Sequence, residues 1–406
     1  MPSIGQECAK RKPVSFFSTG PLAYRRSRGR QSFFAGFRSS AGFSLPKSPP
    51  TIDPVRLQTA IQEAEDLKKS KARTTINDIA RIARVSKKTV SRVINDSPLV
   101  KPRTRQLIDA VIAAAGFKPD PQARALALGR SFLIGLVYYN PSPQYVVNMQ
   151  FGILDAIQDT DFQLVLRPCD RADADYLGRL GRFIEQHRPY GLVLPPSVSE
   201  DEAVVGLLRS LDADYVRIAS VPLDVPARMI VTNDAEGAAQ AARHLAALGH
   251  TDIAHIHGPN SFRSAHERRS GFRAGLAESG IELPDSRLIE GAYTFESGLK
   301  ATERLLYGSR RPTAIFAGND EMAAGAYVAV RMAGLRIPED ISIVGFDDTP
   351  TSARLWPALT TVRLPIREMG RAAARLLVEP AENPAAQPQH SFTPEIVVRQ
   401  STGRVR

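Results

Sequence analysis

The pattern of apolar positions changes near residue 131. From residue 74 to 116 apolar residues recur every three or four positions, the spacing of short amphipathic helices. Beyond residue 131, short apolar runs alternate with helical stretches. The runs are FLIGLVYY, FQLVLRPC, YGLVLPP, YVRIAS, MIVTN, DIAHIHGP, LIEGAY, AIFAGND and ISIVGFDD. Apolar strands alternating with helices indicate parallel sheets covered on both faces, and this many strands predict two α/β lobes. Ligands of such sheets bind at the carboxyl ends of the strands.

The helical segment predicts a helix-turn-helix over residues 73–117. TTINDIARIARVSKKTVSRVI breaks near Arg84 and Val85, so a second helix begins at Ser86. A third helix runs from Thr104 to a stop at Gly116. The Pro-bounded stretch KPDPQARALALGR, residues 118–130, is long enough for about two further helical turns.

Candidate DNA-binding residues cluster on the second helix. Ser86 suits an N-cap, and the residues that follow it at the start of a recognition helix are those that reach base edges. Arg92 shares a face with Lys88, and Thr89 and Ser91 can donate to phosphate oxygens. The full candidate set on the helices is Thr75, Ser86, Lys87, Lys88, Thr89, Ser91, Arg92 and Asn95.

Charge supports a nucleic-acid partner for the front of the chain. Residues 1–50 carry nine basic and one acidic side chain, residues 73–130 carry twelve and four, and residues 131–406 carry 28 and 33. Basic front segments on a mildly acidic body indicate contact with a polyanion. No apolar run reaches the ~18 residues of a membrane helix, so no membrane partner is expected. Two cysteines are too few for a disulfide framework and fit a cytoplasmic location.

Residues 1–70 are expected to be a basic, disordered extension and linker. Residues 1–50 are rich in Arg, Ser, Phe, Gly and Pro and show no helical or strand period. They resemble an organelle transit peptide, and an over-extended gene start is an equal alternative. Residues 51–70 could form a short polar helix, which we interpret as a linker or arm.

The motifs together resemble one family. DIARIARVSKKTVSRVIND is similar to the DNA-binding head of the LacI/GalR family of bacterial transcription regulators, and HLAALGH, RRSGF, AIFAGNDEMAAGA, GLRIPEDISIVGFDD and PALTTVR follow in the family's order. The resemblance covers residues 74–402. It implies an all-α helix-turn-helix DNA-binding head plus an α/β two-lobed periplasmic-binding-protein-like effector domain. The lobes are expected at residues 131–231 with 361–391, and 232–360 with 392–406.

The resemblance also assigns a hinge to residues 118–130. Ala123 and Leu126 match hinge positions, and Leu126 matches a leucine that wedges into the minor groove. Two residues depart from the family pattern: Arg84 replaces the usual Gly of the turn, and Asp120 replaces an Asn. If the turn needs a positive φ, Arg84 costs on the order of 1 kcal/mol.

The effector site is expected between the lobes. Arg268, Asn319 and Asp347 offer a fork of donors, an amide and a carboxylate, which can grip vicinal sugar hydroxyls. Helix capping by Asn319 and Asp347 and a surface salt bridge of Arg268 are the structural alternatives. By resemblance, Tyr293 stacks on the sugar, or else it packs in the core, and the candidates Tyr139 and Asn140 line the opposite wall. Ile366 replaces an aromatic residue of some sugar-binding relatives, which leaves the ligand chemistry open.

These features predict a repressor whose operator affinity is controlled by a small ligand. The resemblance implies a homodimer on a palindromic operator and a sugar effector, although a purine stays possible. The alternatives are a periplasmic-type solute-binding protein of a transporter, which would need a signal peptide, and an enzyme acting on a sugar or nucleotide. No catalytic motif and no cofactor is expected, and the His255–x–His257 pair is weak evidence for a metal.

Overall fold

The computed structural model describes residues 53–70, 74–95, 97–118, 131–308, 310–379 and 390–405. The predicted hinge residues Ala123 and Leu126, together with Asp120, lie outside these ranges.

Among the described residues, four helices form the head: α1 (Pro54–Lys69), α2 (Ile76–Ala83), α3 (Lys87–Ile94) and α4 (Pro102–Ala115). Their shared core contains the fully buried Ile79, Val90 and Ile108. α4 begins two residues before the predicted Thr104, because the fixed φ of Pro102 suits the first turn of a helix. It ends as predicted at Gly116, whose φ of 61° lies in the left-handed region that favours glycine.

The short polar helix predicted within residues 51–70 forms as α1, which packs on the flank of the head instead of standing apart as a linker. Ala60 and Ala64 are buried in the head core, and Leu57 and Leu67 pack beside them. The guanidinium of Arg56 donates to the carbonyl of Ala83 at 3.4 Å. Two alanines one turn apart let the backbone of α1 approach α4 closely. This pair of small residues indicates a packed helix face, which the polar composition of residues 51–70 makes hard to recognise.

We expect α1 to stabilise the head. Replacing Ala64 with Leu adds methylenes to a filled core and costs about 1–3 kcal/mol. Hydrogen exchange of the α2 and α4 amides in the full chain measures the loss. Gln62→Leu, on the exposed face of the same helix, is the matched control. Equal exchange in both variants would show that α1 contributes nothing to the head.

The turn between α2 and α3 takes the strained conformation considered above. Arg84 has φ 55° and ψ 48°, the left-handed region, and its N–H donates to the Ala80 and Arg81 carbonyls. The turn geometry is therefore kept although the side chain is not glycine.

The first lobe is built on a six-stranded sheet in the order β11-β5-β4-β3-β1-β2, with all strands parallel. Its strands are β1 (Leu133–Tyr138), β2 (Gln163–Pro168), β3 (Gly191–Leu194), β4 (Tyr215–Ala219), β5 (Met229–Thr232) and β11 (His390–Phe392). Its helices are α5 (Pro143–Ile157), α6 (Tyr176–His187), α7 (Glu202–Ser210) and α13 (Ile366–Val378).

The second lobe has a similar sheet in the order β12-β10-β9-β8-β6-β7, in which β12 runs antiparallel to β10. Its strands are β6 (Ile253–His257), β7 (Leu288–Glu290), β8 (Ala314–Ala317), β9 (Ser342–Asp347), β10 (Thr360–Arg363) and β12 (Glu395–Val397). Its helices are α8 (Asp234–Ala247), α9 (Arg263–Ala277), α10 (Phe295–Leu306), α11 (Asp320–Met332) and α12 (Pro350–Arg354). All nine apolar runs predicted as strands form β1–β9.

The chain crosses between the lobes three times, after β5, after β10 and between β11 and β12. The second crossing falls later than the predicted residue 360. The reason is that Thr360–Arg363 pairs with β9 and so belongs to the second sheet. Phe392 still pairs with β5, one residue beyond the predicted end of the first lobe.

Candidate functional site

The start of α3 presents basic side chains to solvent. Ser86 caps the helix as predicted, with its Oγ accepting from the N–H of Thr89 at 3.1 Å. The next two residues, Lys87 and Lys88, are exposed. Thr75 has a capping role too, because its N–H donates to Asp78 Oδ2 at 3.0 Å. The caps fix α2 and α3, and the lysines remain accessible at the helix end that would enter a groove.

The remaining polar candidates of α3 are half-buried. Thr89, Ser91 and Arg92 are partly covered by the head, and the amide of Asn95 lies 3.4 Å from Ser91 Oγ. Thr89 Oγ lies 2.8 Å from Ser86 Oγ, so this hydroxyl has an internal partner. The two lysines are therefore the most available contacts of the helix.

A small polar cavity lies between the lobes, at the carboxyl ends of several strands. Its lining comprises Asn140, Ser142, Tyr145, Pro196, Thr232, Asp234, Phe262, Ser264, Arg268, Tyr293, Asn319, Asp347, Leu364 and Met369. Five of the six predicted effector residues are thus brought together. Tyr139 is not among them: β1 ends one residue earlier, and its side chain is 40% exposed.

Arg268 is the centre of the cavity. It lies in the second turn of α9. Its Nε donates to Asp234 Oδ2 at 2.8 Å and its Nη1 to the carbonyl of Gly318 at 2.6 Å. Its Nη2 lies 3.7 Å from Asp347 Oδ1, and its guanidinium sits 3.7 Å from the Phe346 ring centroid. The structural alternative of a surface salt bridge is wrong, because Arg268 is buried and held by two carboxylates.

Asp347 is held in an unusual environment. Burial raises the pKa of its carboxyl to about 7, although nearby Arg268 acts in the opposite direction. Its backbone has φ 107°, and its Oδ1 finds no hydrogen-bond partner in the described part of the chain. A buried carboxylate oxygen without a donor is an acceptor for a ligand hydroxyl.

Asn319 and Tyr293 form one wall. Asn319 caps α11, with its Oδ1 accepting from the N–H of Met322 at 2.9 Å, and its Nδ2 donates to the carbonyl of Tyr293 at 3.1 Å. The capping alternative for Asn319 is thus present in the structure. Tyr293, with φ 60°, is buried and packs edge-to-face on Phe262 with ring centroids 5.4 Å apart.

Sequence reasoning missed five polar residues of the cavity, which are Ser142, Tyr145, Thr232, Asp234 and Ser264. Asp234 follows β5, so the rule that selected Asn319 and Asp347 could have found it. Ser142 directly precedes α5, and Tyr145 lies in its first turn. The apolar residues around them hide both positions from a search for polar strand ends. Within the described residues neither Ser142 Oγ nor the Tyr145 hydroxyl has a hydrogen-bond partner. They are available to a ligand.

The paired histidines of β6 are core residues. His255 is fully buried, stacks on Phe316 with centroids 4.7 Å apart, and places Nδ1 3.0 Å from the Phe316 carbonyl. Burial lowers its pKa to about 3, so the ring is neutral at physiological pH. Within the described ranges, no group of three or more His, Cys, Asp or Glu could hold a metal ion.

A helix-turn-helix head followed by two lobes around a polar cavity defines a ligand-responsive DNA-binding protein. A family model described as "Bacterial regulatory proteins, lacI family" matches residues 75–120, and one described as "Periplasmic binding protein-like domain" matches residues 242–402. The chain belongs to the LacI family of bacterial regulatory proteins.

Named relatives extend over most of the chain. It is 33% identical over 337 residues to the HTH-type transcriptional regulator DegA of Bacillus subtilis, covering 81% of this chain and 98% of that protein. It is 31% identical to the ribose operon repressor of Escherichia coli, covering 80% and 99%. The fold matches the lac repressor dimer bound to operator with a TM-score of 0.66 and 28% identity, covering 82% and 100%.

Proposed function

We propose that this chain is a transcriptional repressor that binds a palindromic operator as a homodimer and responds to a sugar held between its lobes. The observation that carries the proposal is the presence, on one chain, of an accessible basic recognition helix and a cavity with unpartnered polar groups. A ligand that favours one arrangement of the lobes would alter the spacing of the two hinge segments, and so the affinity for DNA.

An exposed apolar stripe on the first lobe supports the dimer. Val147, Phe151 and Leu154 project from one face of α5 at helical spacing and remain exposed. Exposed apolar groups clustered on one face are typical of protein interfaces.

A regulator accounts for the chain better than the two alternatives. The relatives named above are transcriptional regulators. They therefore favour a regulator over a transporter's solute-binding protein and over an enzyme. Among the described residues, no helix combines the length and apolarity needed to cross a membrane. DNA binding places the protein where the chromosome is, so we propose a cytoplasmic location.

Selection of bound duplexes from a random DNA pool, at stated salt, tests the function. A dimeric protein selects an inverted repeat of about 14–20 base pairs. The distance between its two heads sets the spacing of the half-sites. Salt-sensitive binding without an enriched sequence would contradict the proposal, because basic residues alone bind DNA in that way.

The charge of the cavity favours a neutral effector. Among its described lining residues Arg268 is the single cation, and Asp234 and Asp347 already occupy it. The polar atoms that remain are those of neutral hydroxyls and a carboxyl, which suit sugar hydroxyls. A carboxylate or phosphate group on the ligand would be repelled by the negative charge of Asp234 and Asp347.

We therefore expect neutral pentoses and hexoses to bind at least about tenfold more tightly than the matching uronic acids and sugar phosphates. That difference corresponds to about 1.4 kcal/mol, a modest value for like charges at a buried site. Titration calorimetry with matched pairs measures it, and a neutral purine base belongs in the same panel. Tighter binding of the anionic member would contradict the expectation.

A further inference from the structure

One hydrogen bond joins the two lobes beside the cavity. Glu200 lies in the loop between β3 and α7 of the first lobe. Its Oε2 accepts from the backbone N–H of Arg263, the first residue of α9 in the second lobe, at 3.0 Å. Glu200 does not line the cavity. The contact therefore connects the lobes without occupying the ligand's space.

The helix that receives this contact has no cap of its own. The N-cap position of α9 is Phe262, whose side chain cannot accept a hydrogen bond. The first N–H groups of a helix need acceptors, and its N-terminus favours negative charge. Glu200, which belongs to the first lobe, supplies both the hydrogen-bond acceptor and the negative charge. Because α9 also carries Arg268, the contact fixes the helix that holds the cavity's cation.

On its own side, Glu200 projects from a rigid loop. The Ser199 hydroxyl donates to the Ile218 carbonyl at 2.7 Å, and the Ser197 hydroxyl donates to the Tyr139 carbonyl at 2.8 Å. The N–H of Glu200 bonds back to the Ser197 carbonyl at 3.3 Å. These bonds set the position of the carboxylate before it meets the other lobe.

The Glu200 carboxylate has little hydrogen-bonding support from its own lobe. Its Oε1 is buried and finds no hydrogen-bond partner among the described residues. Burial raises the pKa of Glu200, partly offset by the N–H of Arg263. If the lobes separated, this carboxylate would regain water and α9 would lose its cap. The contact is therefore specific to the arrangement in which Glu200 meets α9, which we call the closed arrangement.

We propose that Glu200 is an interlobe latch that caps α9 only when the lobes are closed and so sets the balance between open and closed forms of the free protein. It acts as a positioning residue, because it touches α9 and not the ligand. The consequence for the effector and the operator rests on the proposed function, whereas the latch itself does not.

Hydrogen exchange on the ligand-free full chain tests the contact. In Glu200→Ala, the Arg263 amide and the first turn of α9 should exchange at least tenfold faster than in the wild type. Glu200→Gln keeps an acceptor oxygen and should give an intermediate rate. Glu185→Ala, which removes an exposed carboxylate on α6 of the same lobe, should leave the rate unchanged. Unchanged exchange in Glu200→Ala would overturn the proposal.

The distance between the lobes tests the consequence. Spin labels on Gln158→Cys in the first lobe and Lys300→Cys in the second lobe report it in a Cys8→Ser background. Cys169 stays unlabelled because it is buried and burial raises its pKa to about 11. We expect Glu200→Ala to shift the distance distribution away from the wild-type one, with Glu200→Gln between them. Superimposable distributions would overturn the latch, and neither result depends on whether an operator or a sugar has been found.

Discussion

Replacing Arg268 with Met should abolish the response of operator binding to the effector and lower the free energy of unfolding by about 3–5 kcal/mol. The cost is of this size because removing one partner of a buried ion pair leaves uncompensated charge. Asp234 and Asp347 would both lose their cation, and the Gly318 carbonyl would lose its donor. Urea unfolding followed by circular dichroism measures the stability, and calorimetry measures sugar binding.

The neighbouring Arg269 provides the matched control. It lies on the same helix but is only partly covered, and it contacts Asn260 and His266 near the surface. Arg269→Met should keep the stability within about 0.5 kcal/mol and retain sugar binding. If Arg268→Met behaved like this control, Arg268 would be neither the structural nor the binding centre of the cavity.

A second substitution separates the two roles of Arg268. Asp234→Asn in the Arg268→Met background removes one of the stranded carboxylates, so part of the stability should return. Sugar binding should not return, because Asp347 and the Gly318 carbonyl still lack the guanidinium that holds them at the cavity. Recovery of both properties together would mean that Arg268 affects the ligand only through the stability of the second lobe.

Much of this site could be predicted because strand ends are a local signal. A polar residue at the end of an apolar strand, or within two residues of it, lies at the carboxyl edge of the sheet, and this rule brings Asn319 and Asp347 to the cavity. The same rule applied to β5 gives Asp234. It fails for Tyr139, because the last residue of β1 cannot be fixed to within one position and one position reverses the side-chain direction.

The contacts between elements could not be predicted in this way. Nothing in the local sequence says that Glu200 reaches α9, since the two meet only after each lobe has folded. For the same reason α1 looks like a polar linker until Ala64 is placed against α4. The buried ion pair of Arg268 could not be predicted, because arginine is seldom buried and its partner Asp234 lies 34 residues earlier.

Changing both Lys87 and Lys88 to Glu should weaken operator binding at least a hundredfold while leaving the fold intact. Both side chains are exposed at the start of α3, and the Ser86 cap does not depend on them. Each reversal replaces attraction to the DNA by repulsion, and base contacts contribute about 1–3 kcal/mol each.

The salt dependence shows what each lysine does. In Lys87→Ala and Lys88→Ala, a lysine that contacts phosphate lowers the slope of log K against log[salt] by about one and weakens all sequences alike. A lysine that reads a base leaves the slope nearly unchanged and relaxes the preference at one operator position. Lys68→Ala on α1, exposed and outside the recognition helix, is the control and should retain wild-type specificity. If the α3 variants kept both the affinity and the slope of the wild type, α3 would not be the element that enters the groove.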